Sequence, residues 1–133
     1  MPIGHLGINV GDLDVARSYY ERLMPALEME LFVVSADQFA YRPAGGKPGA
    51  YLFVYPAPDG VGYSRDRAGL QHLAFIVRSR SAVDHVHGLV RGLGSEVVHE
   101  PRVFPEYPQP YYATFWLDPH GFLLEAVCHH DRA

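Results

Sequence analysis

The sequence predicts an α+β fold made of two copies of a strand–helix–three-strand (βαβββ) unit, whose eight strands curl into a concave sheet with helices outside. Three observations carry that prediction. The stretch Gln71-His72-Leu73-Ala74-Phe75-Ile76-Val77 restates His5-Leu6-Gly7-Ile8-Asn9-Val10, both in the form His-Leu-x-x-x-Val. Each copy then runs into a polar turn and a stretch of helical periodicity. The offset, 72 − 5 = 67 residues, is too long for a solenoid repeat and suits a duplicated half-domain. A histidine at the same place in both copies lets the two face a common interior if the copies pair.

The elements follow in chain order. From Ile3 to Val10, Leu6, Ile8 and Val10 fall on one face and His5, Gly7 and Asn9 on the other, the alternation of a half-buried strand. Asp12 is a good N-cap, Leu13, Ala16, Tyr20 and Leu23 recur at helical spacing, and Pro25 stops the helix near Met24. Residues 28–34, 39–42 and 51–55 read as strands, with a Pro/Gly loop over 43–49. The first module therefore spans 1–55, and the Pro-, Gly- and charge-rich 56–70 reads as a linker. In the second module, 71–128, residues 71–77 form a strand. Ser81 then caps a helix with Asp84 as its capping-box partner, and Val83, Val86, Val90 and Leu93 form the apolar stripe before Gly94. A short strand over 96–100, an irregular proline-bearing segment over 101–110, and a hairpin of 111–117 and 122–128 around Asp118-Pro119-His120-Gly121 complete it. Residues 129–133 are a tail, and Pro101–Pro110 is the candidate lid.

The bulk numbers narrow the partners. With 133 residues the chain makes one compact domain. A net charge of −4, one lysine (Lys47) and no basic run argue against nucleic acid or an anionic membrane as partner. No apolar run reaches membrane-span length and the N-terminus lacks signal-peptide form, so a cytoplasmic protein is expected. The single cysteine, Cys128, excludes an internal disulfide framework and reads as a small buried hydrophobe.

Glu125 is the residue that calls for chemistry. It shares a strand face with Leu123 and Val127, and an unpaired carboxylate in such company is strongly disfavoured. Water at an open cleft, an arginine such as Arg78 or Arg102, or a cation would compensate it. If Glu125 faces the same interior as His5 and His72, the three form a 2-His-1-carboxylate set with open positions, suited to Fe(II), Mn(II), Zn(II) or Ni(II).

The whole pattern, His-Leu-x-x-x-Val, helix and strands, then the same again ending in Asp-Pro-His-Gly-Phe-Leu-Leu-Glu, resembles the vicinal oxygen chelate superfamily. That superfamily includes glyoxalase I, bleomycin-resistance proteins, fosfomycin-resistance transferases and extradiol dioxygenases. The resemblance implies paired βαβββ modules forming an open barrel-like sheet around a metal site. Its first-strand ligand falls on His5, its fifth-strand ligand on His72 and its eighth-strand carboxylate on Glu125, with the aromatic pair of the first helix on Tyr19 and Tyr20. Glyoxalase I enzymes take a further glutamate from the fourth strand; that slot lies among Phe53, Val54 and Tyr55 here. Three-ligand relatives therefore fit better. A ring-cleaving relative would want a further histidine and a tyrosine beyond the metal ligands; Tyr111 or Tyr112 could supply the tyrosine, but the first module has no histidine besides His5. A phosphonate transferase would want clustered Lys/Arg, which the sequence does not display.

The expected function is a metal-dependent enzyme, a lyase or extradiol-type dioxygenase with isomerase and thiol transferase chemistry also open, acting on a small oxygen-rich molecule that chelates one divalent ion. Tyr111, Tyr112 and His99 are candidate proton carriers, and Asn9, Phe53, Tyr55 and Phe115 candidate substrate contacts. His85, His87 and His120 read as solvated or turn residues, and His129 and His130 as tail. The resemblance further implies a homodimer in which His5 of one chain meets His72 and Glu125 of the other. The alternative is a metal-free protein that sequesters a small molecule in the same concave fold.

Overall fold

The computed structural model describes residues 2–133, which divide into two units, 2–63 and 64–133. The first unit contains β1 (His5–Val10), α1 (Leu13–Leu23), a 3-10 turn (Met24–Leu27), β2 (Met29–Val34), β3 (Phe39–Pro43), a second short 3-10 turn (Ala44–Gly46) and β4 (Tyr51–Pro56). The second contains β5 (Leu73–Ile76), α2 (Arg80–Gly92), β6 (Val97–Val103), β7 (Tyr112–Leu117) and β8 (Leu123–Cys128). Each unit is a βαβββ module with one four-stranded mixed sheet, ordered β1-β4-β3-β2 in the first and β5-β8-β7-β6 in the second. The first strand of each lies parallel to the last, and the remaining pairs are antiparallel.

In the first unit, Ile8, Val10, Leu52 and Val54 form the buried face of β1 and β4, and Ala16, Tyr20 and Leu23 are the buried stripe of α1. The Asp12 side chain accepts from the Val15 N–H, and Pro25 turns the chain into the 3-10 segment, where Glu28 takes a left-handed conformation (φ 59°). His5, Gly7 and Asn9 stay exposed on the opposite face, as their alternation predicts.

In the second unit, Val83, Val86 and Val90 are fully buried, as are Trp116, Leu124, Ala126 and Cys128 on the sheet face toward α2. Each such aliphatic side chain contributes about 1.5–3 kcal/mol. The other sheet face carries a second apolar layer of Phe104, Ala113, Phe115, Leu123 and Val127. Two buried faces make β7 and β8 the centre of the unit.

Three boundaries differ from the sequence reading. Strand β5 begins at Leu73, so Gln71 and His72 stand just ahead of it. Helix α2 is capped by Ser79, whose hydroxyl accepts from the Ala82 N–H, and not by Ser81. The Asp84 carboxylate, expected to close a capping box, instead accepts from the Tyr112 hydroxyl at 2.7 Å. Finally, β6 runs through Pro101 to Val103. It is the edge strand of its sheet, and its pairing with β7 shifts register between His99 and Arg102, so the missing proline N–H falls at a bulge. What remains of the candidate lid is a turn tied to itself: Gln109 Nε2 donates to the Phe104 and Tyr107 carbonyls.

Candidate metal and ligand site

Register places Glu125. The β7–β8 hairpin closes on Asp118, whose Oδ1 accepts from the backbone N–H of His120 (2.8 Å) and Phe122 (3.0 Å), with Gly121 left-handed at φ 88°. That turn sets Phe115 opposite Glu125 on β7, and the parallel pairing with β5 sets Ala74 opposite it on the other side. Glu125 thereby sits in the centre of the sheet, with its side chain fully buried.

Three neighbours define its chemistry. The Tyr111 hydroxyl donates to Oε2 at 2.5 Å. His72 Nε2 faces Oε1 at 3.4 Å. Its approach is wrong for a hydrogen bond, and Oε1 has no donor among the described residues. On the far side of the imidazole, Nδ1 meets the Gln71 amide oxygen at 2.5 Å. An amide oxygen only accepts, so Nδ1 carries a proton. In the neutral ring the Nε2 lone pair then faces the carboxylate, two acceptors 3.4 Å apart, and in the protonated ring the two form an ion pair. Burial pushes the Glu125 carboxyl above the usual carboxylate range, opposed by the Tyr111 hydrogen bond and by the charges of His72 and His129. Burial, and then the carboxylate it serves, raise the Tyr111 phenol well above its ordinary value. Tyr111 therefore stays protonated as a donor.

This geometry fits a small cation. Divalent-metal bonds to imidazole nitrogen and carboxylate oxygen of ~2.0–2.2 Å put two adjacent ligand atoms roughly 3–3.5 Å apart. The outward nitrogen of His72 is fixed by a carbonyl-type acceptor, the usual support of a metal-bound histidine. The chemistry of the pair, one neutral nitrogen and one carboxylate oxygen, is that of a borderline divalent ion. Within either unit, the described residues hold no group of three His, Cys, Asp or Glu side chains gathered at metal-binding distance.

The second unit carries a cavity of about 340 Å³ whose wall includes Gln71, His72, His99, Tyr111 and Phe115. His99 stands edge-on to Phe115 at 5.5 Å, and Phe115 lies 6.1 Å from the His72 ring. Tyr112 is not brought there. Its hydroxyl points to Asp84 on α2 and its ring lies under Arg80, on the other sheet face. Of the two arginines expected as possible partners of Glu125, Arg102 lines this cavity but donates to the Val103 carbonyl. His129, read as tail, packs its ring on Tyr111 at 5.1 Å.

In the first unit His5 lies on the exposed face of β1, its ring edge-on to Phe53 at 5.4 Å. Asn9 is exposed on that face, and Tyr55 stacks on Phe53 and covers Gly7, where a Cβ would stand 3.3 Å from the Tyr55 ring. Register also identifies the counterpart of Glu125. Glu125 lies opposite Ala74, two residues after His72, and Phe53 lies opposite Gly7, two residues after His5. The first module carries a phenyl ring where the second carries its carboxylate.

Residues 2–126 match the model of the Glyoxalase/Bleomycin resistance protein/Dioxygenase superfamily. The chain belongs to this superfamily. Among solved structures, a glyoxalase candidate from Bacillus halodurans is 27% identical and superposes with a TM-score of 0.81, covering 95% of this chain and 94% of that one. A glyoxalase/bleomycin resistance protein from Albidiferax ferrireducens T118 is 20% identical (TM-score 0.76; 98% and 100% covered). A lactoylglutathione lyase from Agrobacterium tumefaciens is 18% identical (TM-score 0.65; 95% and 92% covered). No curated protein matches. In both modules the first strand runs parallel to the last, as each sheet's pairing shows.

Sequence reasoning did not find Gln71, His129 or Arg65 as site residues, and weighed Arg102 only as a partner of Glu125. Gln71 adjoins His72 and was within reach of the reasoning. The others come together only through the segment before β5, β6, β7 and the tail.

Proposed function

We propose that this superfamily member is a divalent-metal-dependent enzyme acting on a small, oxygen-rich molecule. His72 and Glu125 would hold the ion, and His5, at the equivalent place in the first module, is the third donor, supplied by the same chain or by a second copy in a homodimer. The observation that supports this reading is the buried Glu125 Oε1, which has no hydrogen-bond partner among the described residues and faces His72 Nε2 at 3.4 Å. Without a cation between them that arrangement is costly. Bound there, the ion supplies Lewis-acid polarisation of a substrate oxygen.

The chain's own residues do the rest. Gln71 fixes the His72 tautomer, and Tyr111 orients Glu125 while remaining protonated. Phe104, Phe115 and Leu123 keep water from the cavity floor. His99, which lines the cavity wall, would take or return a proton. Sequestration without turnover is the second reading, and the aromatic character of the cavity wall favours it.

Metal content by mass spectrometry, on protein purified without tag or chelator, separates the two. Near-stoichiometric iron, manganese, zinc or nickel is expected in the wild type, lost in Glu125→Gln. Absence of metal after reconstitution, or equal retention in the variant, would overturn the ligand assignment and leave the binding reading.

A further inference from the structure

The cavity of the second unit carries cationic side chains that the proposed metal chemistry does not use. Arg65 and Arg102 both line it, and Glu106 is the one carboxylate on the same wall. The Arg102 guanidinium lies 3.8 Å over the Phe104 ring, which fixes its plane, and Nη1 donates to the Val103 carbonyl at 3.1 Å. Its Nη2 is 3.9 Å from the Glu106 carboxylate, too long for a hydrogen bond, in a pair with both side chains about half exposed. Such a pair contributes little and yields readily to a better acceptor. Arg65 pairs with no carboxylate among the described residues.

The opposite character of the wall is aromatic. Phe104 stands 5.3 Å from Phe115 and is stacked on Tyr107 at 5.9 Å, and Tyr107 lies 4.8 Å from Tyr111. Rings so arranged present faces and edges to a flat guest. A volume of about 340 Å³ is near the lower end of small-molecule sites and admits a single-ring compound. Planar guanidinium groups match planar or tetrahedral oxyanions through paired N–H donors.

We propose that this cavity selects a planar, ring-bearing oxyanion, with Arg65 and Arg102 holding the anionic head group and the ring lying against Phe104, Tyr107 and Phe115. The proposal deepens the reading above, on which the ligand's remaining oxygens would reach the ion, but the anion subsite itself is made of side chains outside the proposed ligand set.

The test uses the full chain freed of metal by chelator, titrated with benzoate, phenylphosphonate, benzamide and cyclohexanecarboxylate and followed by proton NMR. Benzoate and phenylphosphonate are expected to bind about tenfold or more tightly than uncharged benzamide. Whichever of the two anions binds tighter names the head group as carboxylate or phosphonate. Cyclohexanecarboxylate is expected to bind more weakly than benzoate. The preference for anions should close in Arg65→Gln and Arg102→Gln, and should shrink in the wild type as salt rises from roughly 0.05 to about 0.5 M. Benzamide binding as well as benzoate, a preference that survives both substitutions, or cyclohexanecarboxylate matching benzoate would overturn the proposal. Because the protein is metal-free, failure here leaves the metal-content result untouched, and failure to retain metal leaves this result standing.

Discussion

Replacing Tyr111 with Phe isolates one hydrogen bond to a carboxylate that no solvent reaches. Among the described residues the phenol is the single hydrogen-bond donor to Glu125, at 2.5 Å on Oε2, while Oε1 has none. A hydrogen bond to a charged group contributes about 1.5–3 kcal/mol, and its loss strands a buried acceptor. The ring itself is conserved in the substitution, so its packing on Tyr107 and His129 is retained. We expect Tyr111→Phe to destabilise the metal-free protein by about 2 kcal/mol. Urea unfolding followed through Trp116, the one tryptophan and fully buried, measures this directly. In a Glu125→Gln background the acceptor is a neutral amide, so the same substitution should cost about 1 kcal/mol, leaving a coupling energy of about 1 kcal/mol. The variant should also hold the proposed ion roughly tenfold or more weakly, as expected when a group supporting a metal ligand is removed. If Tyr111→Phe unfolds within about 0.5 kcal/mol of the wild type, Tyr111 is not what stabilises the buried carboxylate and the reasoning fails.

Further expectations follow from other contacts. With metal at about one hundred times its dissociation constant, the wild type should gain about 2.7 kcal/mol of stability and Glu125→Gln essentially none, read as thermal shifts with and without the ion. Ser79→Ala should cost about 1 kcal/mol while Ser81→Ala stays within about 0.5 kcal/mol, since only Ser79 accepts from the Ala82 N–H; equal effects in denaturant melts would contradict the cap assignment. Asp118→Ala removes an acceptor shared by two backbone N–H groups and should destabilise by about 1–3 kcal/mol, with hydrogen exchange accelerated first at Phe122. Burial and the Asp84 carboxylate raise the Tyr112 phenol from 10 to about 12. The folded state then binds the proton more tightly than the unfolded state, so this contribution is complete below pH 10 and fades as the pH rises toward 12. Unfolding free energies across that range should fall less steeply in Tyr112→Phe than in the wild type.

The repeated His-Leu-x-x-x-Val segment made the module order legible, because strand alternation and helix capping are local in sequence. It held more than was drawn from it. Asp12 lies seven residues after His5, and Ser79 lies seven after His72, so the repeat itself pointed to the second cap. The seryl pair at 79 and 81 concealed it, since either hydroxyl precedes the valine stripe. Pro101 ended the predicted strand early because a proline in a central strand would break the ladder, whereas here it sits at an edge-strand bulge. Glu125 was conspicuous from its apolar neighbours alone. Its partner Tyr111 was a candidate, but which of the paired tyrosines turned inward depended on the β7 register, which is fixed by the distant Asp118 turn. Arg65 and Arg102 line one cavity because residues before β5 and at the end of β6 border it, and no local signal links them.

The phenyl ring of Phe53, at the place in the first module that Glu125 holds in the second, has a consequence for net charge. On the proposed reading, two neutral imidazoles and one carboxylate would leave a divalent centre with one uncancelled positive charge. A carboxylate at position 53 would have removed it. With Phe53 there, neutrality would fall to the guest, so a ligand that arrives as an anion, or sheds a proton on arrival, would be matched to the proposed site by its ionisation state as well as by its shape.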